Sequence, residues 1–196
     1  MVVAMLKIVV LGAGGKAGSA AVAEASARGH EVTPLVRAAA DITDPAAVAA
    51  GVVGHDVAIA AAADAGEPAV FFRAAAESLV AGLREARVHR LVWVSLASLL
   101  PDANGVPVMD TIGFPPEFRP FSLAHRTALD ILRGSALEWV AVSPSGNFDL
   151  EGAPTGAYHL APGDLKEHIT YADHARALID EAERAQFRRA HIGVAS

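Results

Sequence analysis

The 196-residue chain has no cysteine, which excludes disulfides, thiolate metal sites and a catalytic thiol. It also lacks any long apolar run: residues 57–63 form the longest, far short of a membrane span. No basic stretch precedes a signal-like core, and the first apolar segment already reads as a strand, so the chain is expected in the cytoplasm. Positive charge is scarce, with 16 Lys and Arg against 22 Asp and Glu for a net −6. Those cations are scattered and form no stripe, so neither nucleic acid nor an anionic membrane is an expected partner.

Several catalytic signatures are absent too. Gly15-Lys16 is followed by Ala17, so the hydroxyl that a P-loop gives to magnesium is missing. Val142-Ser143-Pro144-Ser145-Gly146 lacks the first glycine of a nucleophile elbow and puts proline at the turn. The eight histidines show no H-E-x-x-H or comparable pair, and no metal site is expected. Neither tyrosine begins a Tyr-x-x-x-Lys pair: four residues after Tyr158 stands Pro162, and four after Tyr171 stands Ala175. Proton transfer from a tyrosine whose pKa a lysine lowers is thereby unavailable in its usual form.

What is present begins with Gly12-Ala13-Gly14-Gly15-Lys16-Ala17-Gly18, between the apolar run Ile8 to Leu11 and an alanine-rich segment of helical character. Strand, glycine turn and helix in that order form the pyrophosphate-binding corner of a Rossmann unit. Gly12 suits the tight turn, Gly15 lets backbone N–H groups approach a phosphate, and Gly18 lets the helix lie close to the strand. The same string also fits a glycine corner that binds nothing.

The alternation continues along the chain. Residues 7–11, 31–36, 56–60, 90–94, 139–142 and 191–194 read as strands. Residues 16–28, 70–85 and 123–133 read as helices, with Gly29 and Gly134 as stops, Asp44-Pro45 opens a further one, and the Thr170 to Asp173 capping box starts another through Glu183. This predicts a single-domain α/β fold, a doubly wound parallel sheet with helices on both faces. Two stretches break the rhythm: 99–120 holds five of the eleven prolines, and 144–166 is rich in glycine and proline. They are expected as two long loops, 99–120 and 145–166, at the carboxyl edge of the sheet, forming a substrate-side lid.

The second strand ends Leu35-Val36-Arg37, where an NAD site usually carries an acid. The nearby acid, Glu31, lies at the wrong end of that strand, so NADP(H) is expected in preference to NAD(H). Lys16 either adds charge near the phosphates or is a solvated helix residue. Asp41, ahead of Ile42, either faces the adenine amino group or only shapes the turn before Asp44.

The chain resembles an atypical short-chain dehydrogenase/reductase, of the NAD(P)-binding group that includes NADH-flavin reductases and biliverdin reductase B. Gly12 to Gly18, with Gly29-His30-Glu31-Val32-Thr33-Pro34-Leu35-Val36-Arg37, is similar to that group's G-A-T-G-x-x-G…G-x-E-V-T-x-L-V-R. Leu132 to Pro144 and Thr155-Gly156-Ala157-Tyr158 resemble its L-R-x-S-x-L-x-[WY]-x-x-V-x-P…T-G-x-Y. The resemblance implies that Gly12, Gly15, Lys16, Ala17 and Gly18 hold pyrophosphate and Arg37 a 2′-phosphate. It also implies that Ala61 and Ala62 pass the ribose and that Ser95, Pro144 and Ser145 flank the nicotinamide, while Asp41 and Ile42 are expected at the coenzyme from their place ahead of the next helix. The implied activity is hydride transfer from NAD(P)H to a flavin or similar planar acceptor, which needs no dedicated tyrosine. Ser95 is then either a hydrogen-bond donor or a turn residue, and His125 either a proton donor or a solvent-exposed histidine at the start of its helix. Leu96 departs from the glycine-rich tip of relatives and narrows the site. Two other functions fit the same motifs: an NADP(H)-binding redox sensor with little turnover, and a sugar-nucleotide epimerase. The missing Tyr-Lys pair counts against the latter.

Overall fold

The computed structural model describes residues 4–196. Strands β1 (Lys7–Leu11), β2 (Glu31–Leu35), β3 (Val57–Ala60), β4 (Arg90–Val94) and β5 (Glu138–Pro144) alternate with helices α1 (Lys16–Ala27), α2 (Pro45–Val52), α3 (Pro68–Ala86) and α4 (Arg119–Gly134). Short strands β6 (Asn147–Asp149), β7 (His159–Leu160) and β8 (His168–Thr170) follow, then α5 (Tyr171–Arg184) and β9 (Ala190–Ala195). Among the described residues seven strands form the main sheet in the order β2-β1-β3-β4-β5-β9-β7, and β6 pairs with β8 separately. Only β7 runs antiparallel in the main sheet, against β9. The order is that of a Rossmann-like fold, with a crevice where β1 lies between β2 and β3.

Both faces of the sheet are buried, so the strands are apolar at successive positions and alternate residues feed different cores. Val9, Leu11, Ala58, Leu91, Trp93 and Trp139 pack with α2, α3 and α4. Ile8, Val10, Ile59, Val92, Val140 and Val142 pack with α1 and α5 on the other side. Pro34, opposite Val10, is tolerated because β2 is an edge strand.

Most element boundaries fall within two residues of those read from the sequence, and the exceptions have local causes. Helix α4 begins at Arg119, four residues before its expected start, because Pro120 fits the first turn, where its missing N–H costs nothing. Strand β5 runs on to Pro144 because β9 pairs along it as far as Pro144 opposite Val194. The two expected loops are largely ordered. In 99–120, Pro101 bridges Pro107, 3-10 turns occupy Val108–Asp110 and Pro116–Phe118, and Leu100, Val108 and Met109 are buried. In 145–166, the strands β6 and β7 break up the predicted coil. Composition predicted turns correctly here, but it carried no sign that buried apolar anchors would pin them.

Candidate functional site

Gly12 has φ +87°, and a Cβ there would stand 2.5 Å from the Ala62 nitrogen. Only glycine therefore lets the turn after β1 pass the segment after β3. Its N–H and that of Ala13 both donate to the Leu35 carbonyl at the end of β2, at 2.9 and 3.1 Å. A Cβ on Gly18 would run into the Gly12 carbonyl, so this residue brings α1 down onto the turn. Gly15 caps α1 with no side-chain acceptor and no acid in the first turn. The N–H groups of Lys16, Ala17 and Gly18 are thus left for an anion, which the helix dipole also favours.

Gly15 itself is free of strain, with φ −81° and ψ 166°, and an added Cβ would meet nothing nearer than the Gly12 carbonyl oxygen at 3.5 Å. Gly15→Ala is therefore expected to fold, with a Tm drop of only a few degrees for the poorer cap. Its methyl would nevertheless stand in the path of a pyrophosphate, and affinity for NAD(P)H should fall at least about tenfold. Calorimetric titration measures both coenzymes directly, and unchanged affinity would remove pyrophosphate from this turn.

A cavity of about 460 Å³ opens beside the turn, lined by Gly12, Gly14, Gly15, Val36, Arg37, Ala40, Ile42, residues 61–65 and Phe71. A second, of about 270 Å³, shares Arg37, Asp64 and Phe71 with it and includes Asp41 and Thr43. Of the residues expected at the coenzyme, the structure brings Gly12, Gly15, Arg37, Ile42, Ala61 and Ala62 together around the first and Asp41 at the second. Lys16 is exposed at the first position of α1 and lines neither. Asp41 accepts from the backbone N–H and hydroxyl of Thr43 at 2.9 and 2.8 Å. Those bonds, the backbone one foremost, hold its carboxyl below the usual range.

The other end of the expected site is arranged differently. Ser95 is buried, and its N–H donates to the Val142 carbonyl. Ser145 is fully buried, its hydroxyl bonded to the Ala161 carbonyl at 3.1 Å and its N–H to Val194 at 2.8 Å. Neither Ser95, Pro144 nor Ser145 lines the cavity at the glycine turn. His125 is neither at a helix start nor in solvent. Because α4 begins early, His125 lies in its second turn and is buried, 3.8 Å from the Phe72 ring centre and 5.1 Å from that of Phe121. Burial pushes its pKa down to about 3, so the ring is neutral at physiological pH, and its Nδ1 has no partner among the described residues.

The sequence reading also missed an acid. Asp64, four residues past β3, places Oδ2 3.0 Å from Nη2 of Arg37. The expectation that Glu31 is the nearby acid is corrected: the carboxylate at Arg37 comes from the β3 side of the crevice, not from β2. Asp64-Ala65-Gly66 forms a side-chain turn, with Oδ1 accepting from Gly66 N–H at 2.8 Å. That bond and then Arg37 hold the Asp64 carboxyl below its ordinary pKa. An Asp-x-Gly a few residues after the third strand was the available signal.

The family model described as NAD(P)H-binding matches residues 12–185. The chain belongs to this NAD(P)H-binding family. Among solved structures, this family member is 38% identical to a "Putative exported protein" from Burkholderia pseudomallei, with TM-score 0.87 over 98% of this chain and 100% of that one. It is 32% identical to a "putative NADH-flavin reductase" from Streptococcus pneumoniae TIGR4, with TM-score 0.83 over 97% and 99% of the two chains. A "putative epimerase" from Bacteroides thetaiotaomicron is 28% identical, with TM-score 0.85 over 98% and 97%. These likenesses support an NAD(P)-dependent oxidoreductase. No helix among the described residues is long and apolar enough to cross a membrane.

Proposed function

We propose that this protein is an NADPH-preferring reductase that passes hydride to a flavin or similar planar conjugated acceptor. The observation that carries the reading is the combination of an uncapped, glycine-lined α1 N-terminus with Arg37 on the wall of the same cavity. The turn would hold the pyrophosphate through the N–H groups of Lys16, Ala17 and Gly18. Ile42, Ala40 and Phe71 offer an apolar slot for adenine, and Arg37 a cation for the 2′-phosphate. When bound, the coenzyme supplies the hydride, and the protein's task is to bind, orient and exclude water. Ser95, at the end of β4, is the hydroxyl in this reading that would touch the acceptor or the carboxamide. The Streptococcus relative's name favours a flavin acceptor. A cytoplasmic location belongs to this reading, although the Burkholderia relative is named as exported.

The neutral, buried state of His125 favours a second reading, in which the protein binds NADP(H) as a sensor with little turnover. The two separate in one assay. The pure protein is expected to oxidise NADPH with FMN as acceptor, saturably and above the spontaneous rate without protein. Tight NADPH binding with no turnover above that control would replace the reductase by the sensor.

A further inference from the structure

Arg37 is engaged by two groups of the protein itself. One Nη2 hydrogen bond goes to Asp64 at 3.0 Å, and the guanidinium carbon lies 5.8 Å from the Phe71 ring centre. Both side chains line both neighbouring cavities, so the pair spans the ground on which the adenosine ribose would lie. Asp64 is not a swinging side chain, since Gly66 N–H fixes Oδ1 at 2.8 Å and leaves Oδ2 facing the arginine.

We propose that Asp64 is a specificity-determining residue that occupies the place of the 2′-phosphate on Arg37 and thereby limits the preference for NADPH over NADH. The inference rests on the reading of Arg37 as the 2′-phosphate residue. NADH brings no group to that cation, so the ion pair survives its binding. NADPH brings a phosphomonoester with nearly two negative charges, which must take the guanidinium from a carboxylate that its own turn holds at ion-pair distance. The displaced Asp64 then faces the phosphate as a like charge. At a solvent-exposed rim the broken ion pair and this repulsion together weaken binding about tenfold, the ion pair contributing the larger part. Selectivity here is a difference between two opposed charges, and the acid acts against the phosphorylated ligand rather than for the other.

The test uses the adenosine halves of the coenzymes, so that no acceptor is needed. Adenosine 2′,5′-bisphosphate and ADP are titrated calorimetrically into the wild type, Asp64→Asn, Arg37→Ser and the double variant. Asparagine keeps the acceptor for Gly66 N–H and removes only the charge. Asp64→Asn should tighten the bisphosphate about tenfold and change ADP by less than about threefold. With Arg37 already serine, the same change should gain no more than about threefold, because no cation is left to release and only the repulsion is relieved. If Asp64→Asn weakens ADP while tightening or sparing the bisphosphate, the acid is a ribose ligand and the proposal falls. Equal weakening of both ligands would make it a turn residue only, and no change in either would remove it from specificity; each overturns the proposal. Arg37→Ser reports separately on the underlying reading. If it leaves the ratio of the two affinities unchanged, the 2′-phosphate site itself is wrong; if it weakens the bisphosphate while Asp64→Asn does nothing, only the competition fails.

Discussion

Replacing Arg37 by aspartate is expected to lower the ratio of NADPH to NADH affinity by about 100-fold, nearly all of it through NADPH, which is about 2.7 kcal/mol. The size follows from two changes at one position. A charge-assisted bond to the phosphate is lost, and a carboxylate joins Asp64 against the same phosphate. The side chain of Arg37 is 65% exposed, so the fold has little stake in it and Tm should move by no more than a few degrees. Titration of both coenzymes against the purified variant decides the matter. A ratio within twofold of the wild type would detach Arg37 from the 2′-phosphate, and equal loss of both coenzymes would place it on the adenosine instead.

The backbone of the candidate site was legible in the residues because glycine leaves a local mark. Gly12, Gly15 and Gly18 sit where a positive φ, an open approach and a close helix contact are required, and each requirement acts within a few residues along the chain. The doubly wound parallel architecture was likewise readable, since each βα repeat is a local pattern. Residues 99–120 and 145–166 were not. Their order comes from contacts across sequence, such as the Gly163 N–H on the Pro101 carbonyl and the Ser145 hydroxyl on the Ala161 carbonyl, which no periodicity encodes.

Side chains at the site follow the same division. Arg37 could be placed from its position at the end of β2, whereas its partner Asp64 lies 27 residues on and is brought in by the β1–β3 pairing. His125 was misplaced because a proline-rich approach masked the true start of α4. The helix starts four residues earlier than expected, so His125 lies a full turn inside it instead of at its exposed opening and packs into the cluster of Phe72, Phe121 and Trp93. The Thr155-Gly156-Ala157-Tyr158 match carries a different lesson, since its residues fasten chain to chain. The Tyr158 hydroxyl donates to Asp180 at 2.8 Å, and Asp180 in turn holds Arg28 of the α1 terminus at 2.6 Å. Burial and that carboxylate raise the pKa of Tyr158, so the hydroxyl stays protonated at neutral pH and holds Asp180.

The other half of that fastening is Asp173, and Asp173→Asn is expected to destabilise the protein by about 2–4 kcal/mol, a Tm loss of roughly 5–15 °C for a chain of this size. The side chain is fully buried and accepts from the N–H groups of Thr155 and Gly156 at 2.8 and 2.9 Å and from the Thr170 hydroxyl at 2.9 Å. It stands in the first turn of α5, where negative charge is favoured, seven residues before Asp180 on the same helix face. An amide keeps the volume but loses the charge and, in either orientation, cannot accept at both ends. Burial alone would raise this carboxyl's pKa, yet the hydrogen bonds from Thr155, Thr170 and Gly156 outweigh it and hold it below the usual carboxylate range. A pKa lower in the folded than in the unfolded chain stabilises above about pH 4, and that contribution disappears as pH falls through the folded value. The gap between wild type and variant should therefore be constant from about pH 5 to 8 and narrow below about pH 4 in chemical unfolding experiments. Proteolytic cleavage within 145–166 should also become faster in the variant, since Thr155 and Gly156 lose their anchor. A gap that stays the same width down to the acid limit would mean that the Asp173 charge contributes nothing, and that only its shape holds the segment.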